Sequence, residues 1–164
     1  MLVGLAAVAL LLAGLGLAVR LFMGRAAEDA LRPDERIVIR ELHDPIPGNA
    51  FLACPPGYCA ATAAPSPVFA LPRDRVATAA GAMIAAEPGV VTVDSAPDRS
   101  RLVVIQHTPL LRFPDIVTID FVALGPDRSS LAIYSRARYG RGDFGANRRR
   151  VLAWLGRLEK IAGQ

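Results

Sequence analysis

The chain is poor in the residues that metal, thiol and nucleophile chemistry draw on. Its two cysteines, Cys54 and Cys59, and its two histidines, His43 and His107, are too few and too scattered for a four-ligand zinc site. Four residues separate the cysteines, whereas a redox-active pair has two between them. No Gly-x-x-x-x-Gly-Lys loop, no His-Glu-x-x-His and no Gly-x-Ser-x-Gly elbow occurs, which removes the usual phosphate-loop, metalloprotease and serine-hydrolase signatures. Aromatic residues are only 6% of the chain and are not interleaved with basic ones, so no base-stacking platform for nucleic acid is present. Lysine is nearly absent: Lys160 is the only one among nineteen basic residues, and the net charge of +4 is therefore an arginine charge.

The chain does have an apolar front. From Leu2 to Val19 there is no charged side chain, a length that as a helix rises roughly 27 Å and is enough to span hydrocarbon. The sequence predicts a transmembrane anchor over residues 1–23, a charged and proline-containing linker over 24–48, and a globular domain over 49–164. Gly16 and Ala18 also suit a signal-peptide cleavage site, so retention and removal both remain open.

Orientation is contested within the sequence. Arg20, Arg25, Arg32 and Arg36 follow the apolar run, and the positive-inside rule holds such a flank in the cytoplasm. Cys54 and Cys59 argue the other way, because they bracket Pro55-Pro56-Gly57-Tyr58, a turn that can bring their sulfurs together in an oxidising compartment. Two reduced, inert thiols are the alternative. The expected location is a bacterial inner membrane, single-pass, with the domain in the periplasm.

Periodicity organises the remainder. Ile37-Val38-Ile39 and Val68-Phe69-Ala70 read as short strands, while the prolines between His43 and Pro67 predict an extended surface segment. Arg73 to Glu87 reads as a helix stopped by Pro88-Gly89. Val90–Asp94, Leu102–Thr108, Ile116–Ala123 and Ser130–Arg138 are β-rich runs, with Val117, Ile119 and Phe121 alternating against Thr118 and Asp120. Asn147 to Ala162 carries a helical stripe of Val151, Leu155, Leu158 and Ala162. The order predicts an α+β fold of two layers, an antiparallel sheet of four to five strands against two helices.

Between the last strand and the last helix, residues 135–150 hold six arginines, three glycines, Asp143 and Asn147. Arginine forks bind carboxylate or phosphate by paired hydrogen bonds. Antiparallel pairing is expected to bring Asp115 near Arg136 and Arg138, with Asp143 or Asn147 capping the helix. Arg148, Arg149 and Arg150 in the first helical turn oppose the macrodipole and call for an anion, internal or bound. The candidate cluster is thus Asp115, Arg136, Arg138, Asp143, Asn147 and Arg150. A triad of Ser135, His107 and Asp115 or Asp120 can be written down but has no nucleophile context.

Asn49-Ala50-Phe51-Leu52-Ala53-Cys54-Pro55, Phe113-Pro114-Asp115, and Ser135-Arg136 with Gly140, Asp143, Gly145, Asn147 and Arg150 ahead of Trp154-Leu155 together resemble the domain-of-unknown-function family 1499. The resemblance runs from about Asn49 to Leu158. It implies a small domain, often membrane-associated or exported, with no assigned activity, cofactor or catalytic residue, and it suggests that Asp115, Arg136, Asp143, Asn147 and Arg150 form one cluster. The expected function is a membrane-anchored domain with a structural or interaction role and no catalysis. Its expected partners are the membrane through residues 2–19 and, as the alternative function, an anionic small molecule or lipid headgroup on the arginine-rich loop. A hydrolase is the third reading; no cofactor and no nucleic acid are expected.

Overall fold

A computed structural model describes Leu12, Gly14, Leu15 and residues 29–162. The expected anchor over 1–23 lies outside the described residues except at those three positions. Among the described residues, no helix is long and apolar enough to cross a membrane.

The domain is α+β, with strands β1 (Ala50–Cys54), β2 (Ala64–Pro65), β3 (Val90–Ser95), β4 (Arg101–His107), β5 (Pro114–Gly125) and β6 (Arg128–Ala137), and helices α1 (Arg73–Ala85) and α2 (Ala146–Ala162). The strands form one sheet in the order β2-β1-β6-β5-β4-β3. Every neighbouring pair is antiparallel except β1–β2, which is parallel. The sheet is thus six-stranded and mixed, where four to five antiparallel strands were expected.

The two extra strands come from the proline-rich segment expected to lie extended over the surface. Its prolines stop at Pro47 and resume at Pro55, and the proline-free window between them supplies β1, which pairs Ala50–Ala53 with Ile133–Arg136. Pro55 lacks the amide proton needed to prolong that ladder. In contrast, Val68-Phe69-Ala70 shrinks to a single bridge between Phe69 and Ser129, hemmed by Pro67 and Pro72. Ile37-Val38-Ile39 gives no strand: Ile39 opens a 3-10 turn, Ile39–Glu41, and is fully buried.

Both helices pack on one face of the sheet. Val76, Ala80 and Ile84 of α1 and Val151, Trp154, Leu155 and Leu158 of α2 meet Val117, Ile119, Phe121, Leu131 and Ile133. The opposite face is also core, which corrects the two-layer expectation. Leu52, Ala132 and Tyr134 lie under Ile39 and Ala61, and Val103, Ile105 and Ile116 lie under Leu31. The irregular stretches on either side of β1, residues 31–46 and 58–63, are therefore a third layer, and β5 is buried at eight successive positions instead of alternate ones. Within the stretch expected as linker, Leu31, Ile37, Ile39, Leu42 and Ile46 pack on this face of the sheet.

Cys54 and Cys59 form a disulfide-capable pair with Cα atoms 6.2 Å apart. The turn between them is tied to the sheet by Tyr58, whose hydroxyl donates to Asp120 Oδ2 at 3.1 Å. Asp120 is held in turn by a two-pronged Arg101 guanidinium at 2.6 and 3.0 Å.

Candidate functional site

Strand alternation decides which charged groups can meet. Asp115 stands opposite Ala137, and Val117 opposite Ser135, so the odd-numbered positions of β5 and β6 turn together toward the helices. Asp115 and Ser135 consequently face the first turn of α2. Arg136 stands opposite Ile116 and, with Arg138, belongs to the other face.

On the helix side the polar groups close on one another. Arg150 donates from Nη2 to Asp115 Oδ2 at 2.5 Å and from Nη1 to Asn147 Oδ1 at 2.6 Å and Ser135 Oγ at 3.0 Å. Ser135 Oγ donates to Asn147 Oδ1 at 2.6 Å. Asn147 Nδ2 donates to Asp143 Oδ2 and to the Asn49 carbonyl, at 2.8 and 3.1 Å. Five side chains from β5, β6, the glycine loop and α2 are thus joined to the backbone just before β1. Ser135 and Asn147 are fully buried, and Asp115 nearly so.

Asp143 does the capping expected of Asp143 or Asn147. Its Oδ2 accepts the Asn147 amide at 2.7 Å and its Oδ1 the Gly145 amide at 2.9 Å. The negative charge at the start of α2 offsets the three arginines of the first turn. Gly145 has φ +75°, a backbone conformation that favours glycine, while a Cβ there would stand 3.2 Å from Arg149 Nη1, the mobile end of a long side chain.

The two carboxylates titrate in opposite directions. Burial pushes Asp115 above the ordinary aspartate range and outweighs the favourable Arg150 guanidinium. Burial acts the same way on Asp143, but the amide bonds from Asn147 and Gly145 overcome it and lower its pKa.

Of the six residues in the expected cluster, Asp115, Asp143, Asn147 and Arg150 come together, and Arg136 and Arg138 do not. Arg138 forms a buried fork with Glu35 on the far face, Nε to Oε1 at 2.6 Å and Nη2 to Oε2 at 2.7 Å. Both side chains are almost fully buried, at 1% and 2% exposure. Glu35 sits in the charged stretch expected as linker, and no local pattern marks it as a core residue. Nearby, Arg138 also reaches the Ala30 carbonyl, Arg32 donates to the Tyr139 hydroxyl at 2.8 Å, and Asp29 Oδ1 lies 3.2 Å from His107 Nε2.

The same alternation separates the proposed triad. His107 lies on the face of Val103 and Ile105 and contacts Asp29 and the Gly89 carbonyl. Ser135 lies across the sheet with its hydroxyl bonded to Asn147 and Arg150. Geometry therefore removes the hydrolase assignment of Ser135 and His107. Among the described residues, no group of three or more His, Cys, Asp or Glu side chains is arranged to hold a metal ion.

The end of the sheet that carries the glycine loop also holds a hollow of about 380 Å³ lined by Thr108, Phe113, Asp115, Tyr139, Asp143 and Phe144. At its rim Phe144 is 98% exposed and adopts φ +51°. Leu110, in the neighbouring β4–β5 turn, is 75% exposed.

No curated protein matches the chain. A family model described as "Protein of unknown function (DUF1499)" matches residues 48–158. That interval begins just before Asn49, ends at the last buried leucine of α2, and contains every member of the Asp115–Arg150 network. The chain belongs to the DUF1499 family of proteins of unknown function.

Proposed function

We propose that this chain is a membrane-anchored domain that acts by contact and not by catalysis, with the apolar run from Leu2 to Val19 as its anchor and the domain on the oxidising, periplasmic side of a bacterial inner membrane. The observation that carries the non-catalytic part is the mutual saturation of the polar groups best suited to chemistry. Arg150 is occupied by Asp115, Asn147 and Ser135, and Arg138 by Glu35. A buried network with few open valences rigidifies a fold and holds a loop in one shape. The hydrogen-bonded loop 138–145 is then the presented element and the network is its mount.

An anion pocket built on Arg136, Arg138 and Arg150 is disfavoured by the same pairing. Such a pocket needs guanidinium groups without internal carboxylates, and two of these three have them. What supports the periplasmic side is the Cys54–Cys59 pair, which an oxidising compartment would keep bridged.

Topology is tested with the full chain carrying Leu124→Cys, an exposed position in the β5–β6 hairpin. The native cysteines are left unreduced. A membrane-impermeant maleimide is expected to label Cys at 124 in intact spheroplasts. Labelling only after lysis would overturn the periplasmic assignment, and recovery of the chain in the soluble fraction would overturn the anchor.

A further inference from the structure

Three features border the network or lie beyond it: the 380 Å³ hollow, walled in part by Asp115 and Asp143, a groove of about 790 Å³ lined in part by Gln106, Arg150, Trp154 and Arg157, and the exposed apolar tips of the loop end. The tips carry the argument furthest. We propose that the loop end of the domain is a docking face for an anionic lipid surface, with Phe144 and Leu110 entering the headgroup boundary and arginines around them meeting phosphate.

The first support is the placement of apolar side chains. Phe144 leaves 98% and Leu110 75% of their surface in water, the opposite of what burial energetics favours for large apolar groups. Phe144 also holds a left-handed φ of +51°, which costs a non-glycine residue about 1–2 kcal/mol. The loop is nevertheless fixed: Arg149 Nη1 donates to the Phe144 carbonyl at 2.8 Å and Asp143 holds the next amide. A strained aromatic residue rigidly presented to solvent points to an occupant.

The second support is charge. Arg112, in the β4–β5 turn, and Arg141, Arg148 and Arg149, along the loop and the first turn of α2, form no ion pair with a carboxylate among the described residues. Of the acidic groups at this end, Asp115 is paired with Arg150, Glu35 with Arg138, Asp143 caps the helix and Asp29 lies against His107; Asp34, exposed, forms no ion pair among the described residues and leaves the four arginines in excess. An apolar tip carried on the same loop and turn as arginines without carboxylate partners, Arg149 bonded to the Phe144 carbonyl itself and Arg148 over the Phe51 ring, suits an anionic bilayer, where each basic group near the surface adds attraction and the apolar side chain supplies insertion.

The third support is where the chain enters. Asp29, the first residue of the continuous described stretch, contacts His107 at the end of β4, and Ala30 and Arg32 are bonded to Arg138 and Tyr139 at the end of β6. The apolar run of the sequence therefore joins the domain at its loop end. Ten steps of chain from Val19 to Asp29 reach at most about 35 Å in any conformation. A bilayer holding the run is then never far from Phe144, and the short tether keeps the effective lipid concentration high.

This inference rests on the membrane-anchored reading above and is tested so that the two can fail separately. Full-length Phe144→Trp and Leu124→Trp chains are reconstituted into vesicles of brominated phosphatidylcholine, with or without phosphatidylglycerol. Leu124 is an exposed apolar position at the opposite end of β5 and serves as control. The wild-type chain, whose single tryptophan Trp154 is buried, gives the baseline. Insertion to the acyl boundary is expected to quench roughly half of the added F144W emission, more with phosphatidylglycerol than without, and to leave L124W nearly unchanged. Vesicle-bound protein with F144W unquenched, or with both positions quenched alike, would overturn the docking face and leave the anchor standing. An unquenched F144W signal that shifts blue as protein density rises would assign the face to a second copy of the chain and would equally overturn lipid docking. Protein that fails to float with the vesicles would overturn the anchor and the docking face together.

Discussion

Asp115 and Arg150 meet at 2.5 Å between the second residue of β5 and the first turn of α2. The pair fixes where the last helix begins relative to the sheet, and both side chains are largely withdrawn from water, at 5% and 12% exposure. Breaking such a contact from one side leaves an uncompensated charge.

Arg150→Met strands the Asp115 carboxylate and is expected to destabilise the fold by about 3–5 kcal/mol. The double variant Arg150→Met with Asp115→Leu, which removes both charges, should recover much of that loss. Urea unfolding of the pair of variants checks it; equal losses in both would mean that the ion pair is not the source of the effect.

Ser135→Ala removes the hydroxyl that bridges Arg150 and Asn147 while leaving the rest of the network in place. A loss of about 1–2 kcal/mol is expected, the usual range for a buried hydrogen-bonding group whose partners must readjust. Denaturant midpoints give the number, and a loss near zero would show that water substitutes for the hydroxyl.

Asp143 supplies an acid-dependent term. Its pKa in the folded chain is below the ordinary 3.8, so its contribution is present above that value and is lost as pH falls through the lower folded value. Asp115, raised by burial, has the opposite sign: its ionisation becomes a cost as pH rises from the ordinary value through the raised one. Asp143→Asn should therefore be less stable than wild type near pH 6, and the gap should shrink toward about pH 3. Unfolding curves across that range decide it, and a gap independent of pH would remove the charge from the cap.

Cys54→Ser with Cys59→Ser opens a very short loop, and the chain-entropy argument assigns about 2 kcal/mol to closing it. The larger effect should be local, because the loop carries Tyr58 to Asp120. Hydrogen exchange is expected to quicken over residues 55–63 and to stay unchanged in α2; uniform quickening throughout would indicate a global effect instead.

Glu35→Gln is expected to loosen the segment that covers the second face of the sheet. Glu35 is the buried partner of Arg138 and also accepts the Arg32 amide. Faster exchange over residues 31–42 is the readout, with β5 retained; protection equal to wild type would mean that apolar packing of Ile39 alone holds the segment.

The parts of the fold with local periodicity were legible in the sequence. Both helices and β3 to β6 follow from runs of matched period, and Asp143 as cap follows from its place before a helical stripe. β1 was hidden because Ala50–Cys54 is short, flanked by prolines and stabilised by pairing with a distant β6 and not by its own pattern. The cluster was legible as a set of residue types but not as a set of sides. One residue of register separates Asp115 from the face that holds Arg136 and Arg138, and sequence alone does not fix which side of a sheet a charge takes. Glu35 was invisible for a further reason: its partner lies 103 positions away, and nothing near it in sequence signals burial.

The position of β6 has a kinetic consequence. It is flanked by β1 and β5 and lies beneath both helices, yet it is made after all of them except α2. Residues 50–53 must wait for residues 133–136 before they have a partner, and contacts so remote in sequence form late because the intervening chain must first be brought together. A chain emerging from a ribosome or a translocation channel would expose the unpaired edge of β1 and the bare face of α1 until its last third had appeared. The time of greatest vulnerability to aggregation, or to capture by a holding chaperone, is thus set by the arrival of β6.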